Sequence, residues 1–245
     1  MKKNLIKIGV SIFLSVGLTM ALSASAMEQA VQEKMTTTIQ AEINYLMFLP
    51  KPYTKSGKPA PLIVFLHGSG ERGNDLEKVK AWGPPAIVEK DADFPFIVVS
   101  PQIPQGQWWN SYLLKQMLDQ VLANNNVDKS RVYLTGLSMG GFGAWDFAMA
   151  YPEYFSAIAP ICGGGNTHLI SRLKNIPTWV FHGKKDEAVP EQQSALMVEA
   201  LKKVGGNVEY TVLPEGGHVD AWVYAYAVEK DKAGLFDWIL QHTKK

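Results

Sequence analysis

The sequence predicts a doubly wound α/β fold: a mostly parallel sheet with helices on both faces and no large lid domain. Three observations lead there. Short, almost continuously apolar runs recur along the chain, at 62–66 (LIVFL), 96–99 (FIVV), 157–161 (AIAPI) and 178–181 (TWVF). A strand without polar alternation is one covered on both faces, as in a parallel sheet. Stretches of helical spacing separate these runs, and strands alternating with helices at this interval wind a sheet from both sides. The runs at 62–66, 157–161 and 178–181 also end in glycine-containing segments, where such sheets build their binding loops.

The first residues stand apart from this pattern. Lys2, Lys3 and Lys7 form a basic start, 8–22 is apolar, and Ala24-Ser25-Ala26 is a small-x-small cleavage site. That is the pattern of a secretory signal peptide over 1–26, leaving one domain over 27–245. The apolar stretch is short for a membrane span, so an uncleaved anchor is the weaker reading. The mature chain is expected in the periplasm or the medium, with no stable membrane anchor. Removing the three lysines takes the formal net charge from +1 to −2, which gives no sign of a nucleic-acid partner.

The remaining elements follow in order. Residues 39–49 alternate enough for an early antiparallel strand, and Pro50 and Pro52 end it. The 62–66 strand runs into His67-Gly68-Ser69-Gly70-Glu71-Arg72-Gly73. A short helix fits 84–90, and the 96–99 strand leads to a loop at 105–110 that carries Trp108 and Trp109. Leu114, Met117, Leu118 and Val121 give 113–124 one apolar helical face, which Asn124-Asn125-Asn126 stops. The next strand, at 132–134, enters Gly136-Leu137-Ser138-Met139-Gly140, and an alanine- and aromatic-rich helix leaves it. After the 157–161 strand come Gly163-Gly164-Gly165, and after 178–181 comes His182-Gly183-Lys184-Lys185-Asp186. Residues 191–204 are an amphipathic helix closed by Gly205-Gly206. The strand at 208–213 ends in Pro214-Glu215-Gly216-Gly217-His218, and a helix over 233–242 closes the chain.

Strand, Gly-x-Ser-x-Gly, helix is the context a nucleophile elbow requires. A turn that sharp strains its central residue and brings neighbouring backbone close, so the flanking positions are glycine. Ser138 is the candidate nucleophile. A serine hydroxyl needs a base to take its proton, and His218, after the last strand, is the candidate among five histidines. His67 and His182 both precede a glycine at a strand end and read as satisfying backbone groups in turns. Asp186, directly after a strand-end turn, is the candidate acid ahead of Glu187 and Asp220. The order Ser, Asp, His is that of α/β-hydrolases and not of chymotrypsin or subtilisin. The developing oxyanion needs donors: the Met139 backbone N–H is the first, and the Ser69 N–H of the loop after the 62–66 strand is the second. Trp108 and Trp109 are expected to wall the substrate, with core packing as the bland reading. Glu71 and Arg72 read as a rim pair. The chain's one cysteine, Cys162, cannot form an internal disulfide and excludes thiolate zinc sites. It ends an apolar run without a base beside it and reads as a small buried hydrophobe.

The segments FLHGSGERG, PFIVVSPQ, RVYLTGLSMGGFGAW, PICGGG, VFHGKKDEAVP and GGH resemble the α/β-hydrolase superfamily over about Tyr45 to Leu240. Within it they are similar to the exported esterase branch of feruloyl esterases, polyhydroxybutyrate depolymerase-like enzymes and carboxylesterases. Relatives in this branch often carry the label "predicted peptidase". The resemblance implies Ser138 as nucleophile, Asp186 as acid, His218 as base, and Ser69 with Met139 as oxyanion donors. It implies a serine carboxylesterase that needs no metal or cofactor and acts on a small-molecule or polysaccharide-linked ester. Two other readings stay open: the same machinery cleaving a peptide bond, and a non-catalytic binding protein on a hydrolase fold. The oligomeric state has no signature in the sequence.

Overall fold

The computed structural model describes residues 41–51, 53–91, 93–228 and 234–244. The expected signal segment 1–26, the first residues of the expected opening strand and the start of the closing helix lie outside the described residues. Seven strands form one sheet among the described residues: β1 (Asn44–Phe48), β2 (Ala60–Leu66), β3 (Ile97–Gln102), β4 (Val127–Leu137), β5 (Ala157–Ile161), β6 (Thr178–Gly183) and β7 (Val208–Leu213). Their order is β1-β3-β2-β4-β5-β6-β7. The β1–β3 pair is antiparallel and every other pair is parallel. The described helices are α1 (Gly83–Val88), α2 (Ser111–Asn124), α3 (Met139–Ala150), α4 (Gln192–Lys203), α5 (His218–Ala225) and α6 (Leu235–Leu240).

The apolar runs are continuous because the inner strands serve two cores. In β2, Leu62, Val64 and Leu66 enter one core while Ile63 and Phe65 enter the other. Leu114 and Leu118 of α2, Trp145 of α3 and Met197 and Leu201 of α4 close the first. Ala221 and Trp222 of α5 with Leu235, Phe236 and Ile239 of α6 close the second. Burying such a side chain stabilises the fold by roughly 1.5–3 kcal/mol relative to leaving it exposed. No position between Leu62 and Leu66 can therefore turn polar cheaply.

The parallel register lines up the strand ends. Leu66 pairs with Gly136, Leu137 with Ile161, and Ile161 with Phe181. The residues that follow these partners, Ser138, Cys162 and His182, consequently sit at one level of the sheet. Between β5 and β6 the chain makes a 3-10 turn, Thr167–Leu173, and no inserted lid domain.

Two elements differ from expectation. β4 reaches back to Val127, which pairs with Ala60 across a register shift, so the strand is longer than its apolar core suggested. The helix α5 was not expected, since Gly216-Gly217-His218 reads as a turn. Its start is fixed by Asp220 Oδ2, which accepts the Gly217 N–H at 2.8 Å, as a carboxylate at the third helical position does.

Candidate active site

The turn at Ser138 explains its glycines. A Cβ on Gly140 would lie 1.9 Å from the Leu66 carbonyl oxygen, and one on Gly136 would lie 2.3 Å from that of Gly140. Only hydrogen fits at either place. Ser138 itself takes φ 54° and ψ −120°, a conformation that costs an L-residue about 1–3 kcal/mol. Its amide is fastened to the Ile161 carbonyl at 2.9 Å, and its own carbonyl accepts the Phe142 N–H at 3.1 Å to begin α3.

The turn after β7 is pressed onto the end of β6. A Cβ on Gly183 would meet the Gly217 carbonyl oxygen at 2.3 Å, and the Lys185 N–H donates to the Gly216 carbonyl at 2.9 Å. This contact carries His218, the first residue of α5, over the loop that holds Asp186. His218 Nε2 lies 2.9 Å from Ser138 Oγ, and Nδ1 lies 2.5 Å from Asp186 Oδ2. Ser138, His218 and Asp186 thus form one chain of hydrogen bonds. The His218 side chain keeps 19% of its surface exposed while that of Asp186 is fully buried. Trp222, one turn along α5, packs edge-on against the imidazole at 4.9 Å between ring centres.

Asp186 accepts three hydrogen bonds. Oδ1 accepts the Ala188 and Val189 N–H groups at 2.9 and 2.8 Å. Oδ2 faces His218 Nδ1 and, at 3.1 Å, His182 Nε2. Burial alone would push this carboxyl up, but the Val189 N–H and the two imidazoles outweigh it and hold it below its ordinary value. Of the two other carboxylates weighed beside it, Glu187 is exposed and Asp220 caps α5.

On the other side of Ser138, the Met139 N–H belongs to the first turn of α3, where amides lack an intrahelical partner. The approach of Gly140 to the Leu66 and His67 carbonyls sets the 66–67 backbone against that same turn. Ser69 opens a 3-10 turn, Ser69–Glu71. Arg72 Nε donates to the Ser69 carbonyl at 3.0 Å, and Gln102 Nε2 donates to the Glu71 and Asp75 carbonyls at 2.7 Å each. Gln102, at the end of β3, is a buried residue that sequence reasoning passed over. Its signal is position alone: a polar side chain closing an apolar strand.

His67 closes a turn, as expected. Its Nδ1 donates to the Gly68 carbonyl at 2.6 Å and its Nε2 accepts the Ile103 N–H at 3.3 Å, an arrangement that requires the neutral ring. Burial pushes its pKa down to about 4, against a smaller upward pull from the Gly68 carbonyl, with Arg72 adding to the depression. His182 does more than close a turn, since it reaches the acid. The two tryptophans separate. Trp109 is 7% exposed and packs on His67 at 4.7 Å, whereas Trp108 is 54% exposed and meets Phe142 edge-on at 6.0 Å. Trp109 belongs to the first core, and Trp108 stands at the surface beside the first turns of α3.

Known proteins resemble this chain. The family described as "Putative esterase" matches residues 36–209. The chain is 31% identical over 173 residues to poly(3-hydroxyalkanoate) depolymerase C of Paucimonas lemoignei, covering 63% of this chain and 39% of that protein. It is 29% identical over 162 residues to feruloyl esterase B of Neurospora crassa, covering 60% of this chain and 53% of that one. Against the crystal structure of a thermostable esterase the TM-score is 0.70 at 32% identity, covering 83% of this chain and 60% of the other. The chain therefore spans only part of the length of each of these relatives. With more than half of its residues matched by one family, and with the sheet order and helix layers just described, the chain belongs to the esterase family of the α/β-hydrolase fold.

Proposed function

We propose that this protein is an exported serine carboxylesterase, with 1–26 as a cleaved signal peptide and 27–245 as its single catalytic domain. The observation that carries the chemistry is the Ser138–His218–Asp186 chain of hydrogen bonds, at 2.9 and 2.5 Å, with its serine on a strained turn. Ser138 Oγ attacks the ester carbonyl carbon while His218 Nε2 takes its proton. Asp186 holds the Nδ1–H tautomer and stabilises the imidazolium that forms. The Met139 and Ser69 N–H groups receive the oxyanion, and one such donor is worth about 10²–10³ in rate. The intermediate collapses, the alcohol leaves with the proton from Nε2, and the acyl group stays on Ser138. Water then repeats the sequence: His218 takes its proton, hydroxide adds to the acyl carbon, and the acid departs as Ser138 regains its proton.

The substrate is a small or aromatic acyl ester, free or attached to a polysaccharide. The absence of a lid between β5 and β6, with Trp108 exposed beside α3, supports an open site. The feruloyl esterase and polyester depolymerase likenesses support that range of substrates. Hydrolysis of p-nitrophenyl esters of increasing acyl length, by wild type and Ser138→Ala in parallel, tests the proposal. Activity in the wild type alone is the expected result, and the length profile then sizes the acyl site. Matched amides tested beside the esters separate esterase from peptidase: amide cleavage as fast as ester cleavage would overturn this reading.

A further inference from the structure

Beneath the triad lies a second histidine. His182, at the level of Ser138 in the sheet, has a fully buried side chain. Its Nε2 lies 2.9 Å from the Val189 carbonyl oxygen and 3.1 Å from Asp186 Oδ2. The Val189 carbonyl accepts the Nε2–H, and the carboxylate oxygen lies beside the ring as a charge contact. Its Nδ1 meets Ser194 Oγ of α4 at 2.8 Å, and that hydroxyl is anchored on the Gly163 carbonyl at 2.7 Å. The ring is therefore gripped from both ends. One end is tied through α4 to the strand exit of β5, and the other to the Val189 carbonyl in the loop that holds Asp186.

We infer that His182 is a positioning residue for the triad: its Nε2–H holds the Val189 carbonyl, and with it the turn whose Val189 N–H grips Asp186 Oδ1, while the ring stands 3.1 Å from Oδ2 and keeps that oxygen facing His218. The need for such a group follows from the accounting at Asp186. The Ala188 and Val189 amides grip Oδ1 only, which leaves the carboxylate free to pivot about that oxygen. The 2.5 Å contact to His218 would tilt with any pivot. His182 limits that pivot: its Nε2–H is bonded to the Val189 carbonyl at 2.9 Å, and the ring so held abuts Oδ2 at 3.1 Å. Cys162 Sγ stands in the same buried cluster, within 4.8 Å of the reactive atoms of His182 and Asp186, and fills the remaining side.

This inference rests on the triad reading proposed above, and its test separates the two. Two isosteric variants of the full chain divide the ring: His182→Gln keeps an amide N–H at the reach of Nε2, and His182→Asn keeps one at the reach of Nδ1. With p-nitrophenyl acetate, His182→Asn should lower kcat by about 10²-fold with KM unchanged, while His182→Gln should stay within about fivefold of wild type. In an Asp186→Asn background the two variants should be equal, because the group they position is already lost. A merely structural histidine predicts the opposite pattern: parallel falls in thermal midpoint and additive losses in both backgrounds. Equal kcat for the two single variants, or a larger loss in His182→Gln, would overturn the inference. Wild-type activity in Ser138→Ala would instead overturn the triad itself, whatever the His182 variants do.

Discussion

Among the described residues two that are not glycine hold a positive φ, Ser138 at 54° and Cys162 at 49°. Both bear a nucleophilic atom, both follow the last residue of a parallel strand, and those strands are paired at Leu137 and Ile161. Their fates diverge. Ser138 is half-buried with His218 Nε2 against its hydroxyl. Cys162 is fully buried, and its thiol faces the His218 carbonyl oxygen at 3.5 Å. Burial first and the charge of Asp186 second push that thiol well above its ordinary range. Backbone strain is thus common to the proposed nucleophile and to a buried thiol. What distinguishes them is a base within reach and a path to solvent.

The sharpest way to break this contrast is at the nucleophile. Ser138→Ala should lower kcat by about 10⁶-fold on p-nitrophenyl acetate, because the remaining groups have nothing to activate. Residual turnover at a tenth of wild type would mean that a strained serine is as incidental as the strained cysteine. Next in size is the acid. Asp186→Asn should cost about 10⁴-fold in kcat, since an amide beside Nδ1 selects the wrong tautomer of His218. Circular dichroism unchanged from wild type would keep that loss catalytic rather than structural.

A smaller effect concerns stability and separates the two strand-end histidines. His67 titrates at about 4 in the fold against 6.5 unperturbed. Between those values the unfolded chain binds the extra proton, so this ring's contribution is complete above pH 6.5 and is lost as pH falls from 6.5 toward 4. The full loss is about 3 kcal/mol. Urea midpoints at descending pH should fall more steeply in wild type than in His67→Gln, which has no proton to gain. Parallel slopes would show that acid destabilisation arises elsewhere.

These contrasts also mark how far the sequence can be read. The alternation of strands and helices was legible because the inner strands are buried on both faces, and double burial leaves unbroken runs such as 62–66. Ser138 was legible because the steric demands of its turn are written as residue types, glycine on either side. His182 was not. The same dipeptide, His-Gly, ends β2 and stands in β6, yet His67 closes on the Gly68 carbonyl while His182 reaches the acid. The difference lies in where the chain goes next: back over β3 in one case, around Asp186 in the other. A dipeptide carries no record of that path. Helix α5 was hidden for a related reason, since its first turn is held by Asp220 on a glycine amide and its apolar face, Ala221, Trp222 and Ala225, is short.

The smallest expected effect falls on the inert member of the pair. Cys162 sits beside Asp186 and His218, so a role in catalysis is the natural rival to its reading as packing. The geometry argues otherwise. Its sulfur meets a carbonyl oxygen that stays fixed through the reaction, and Asp186 already has its donors. Cys162→Ala should therefore leave kcat within about threefold of wild type while lowering stability by about 1–2 kcal/mol for the lost buried sulfur. Alkylation gives the complementary measurement. The folded wild type should resist iodoacetamide, while Ser138→Cys should take up the label at the new thiol, which stands next to the imidazole instead of beneath it. Labelling of Cys162 at the same rate as Cys-substituted Ser138 would show that the strained turn itself activates whichever nucleophile it carries. Labelling of the elbow thiol alone assigns reactivity to the base and the solvent path.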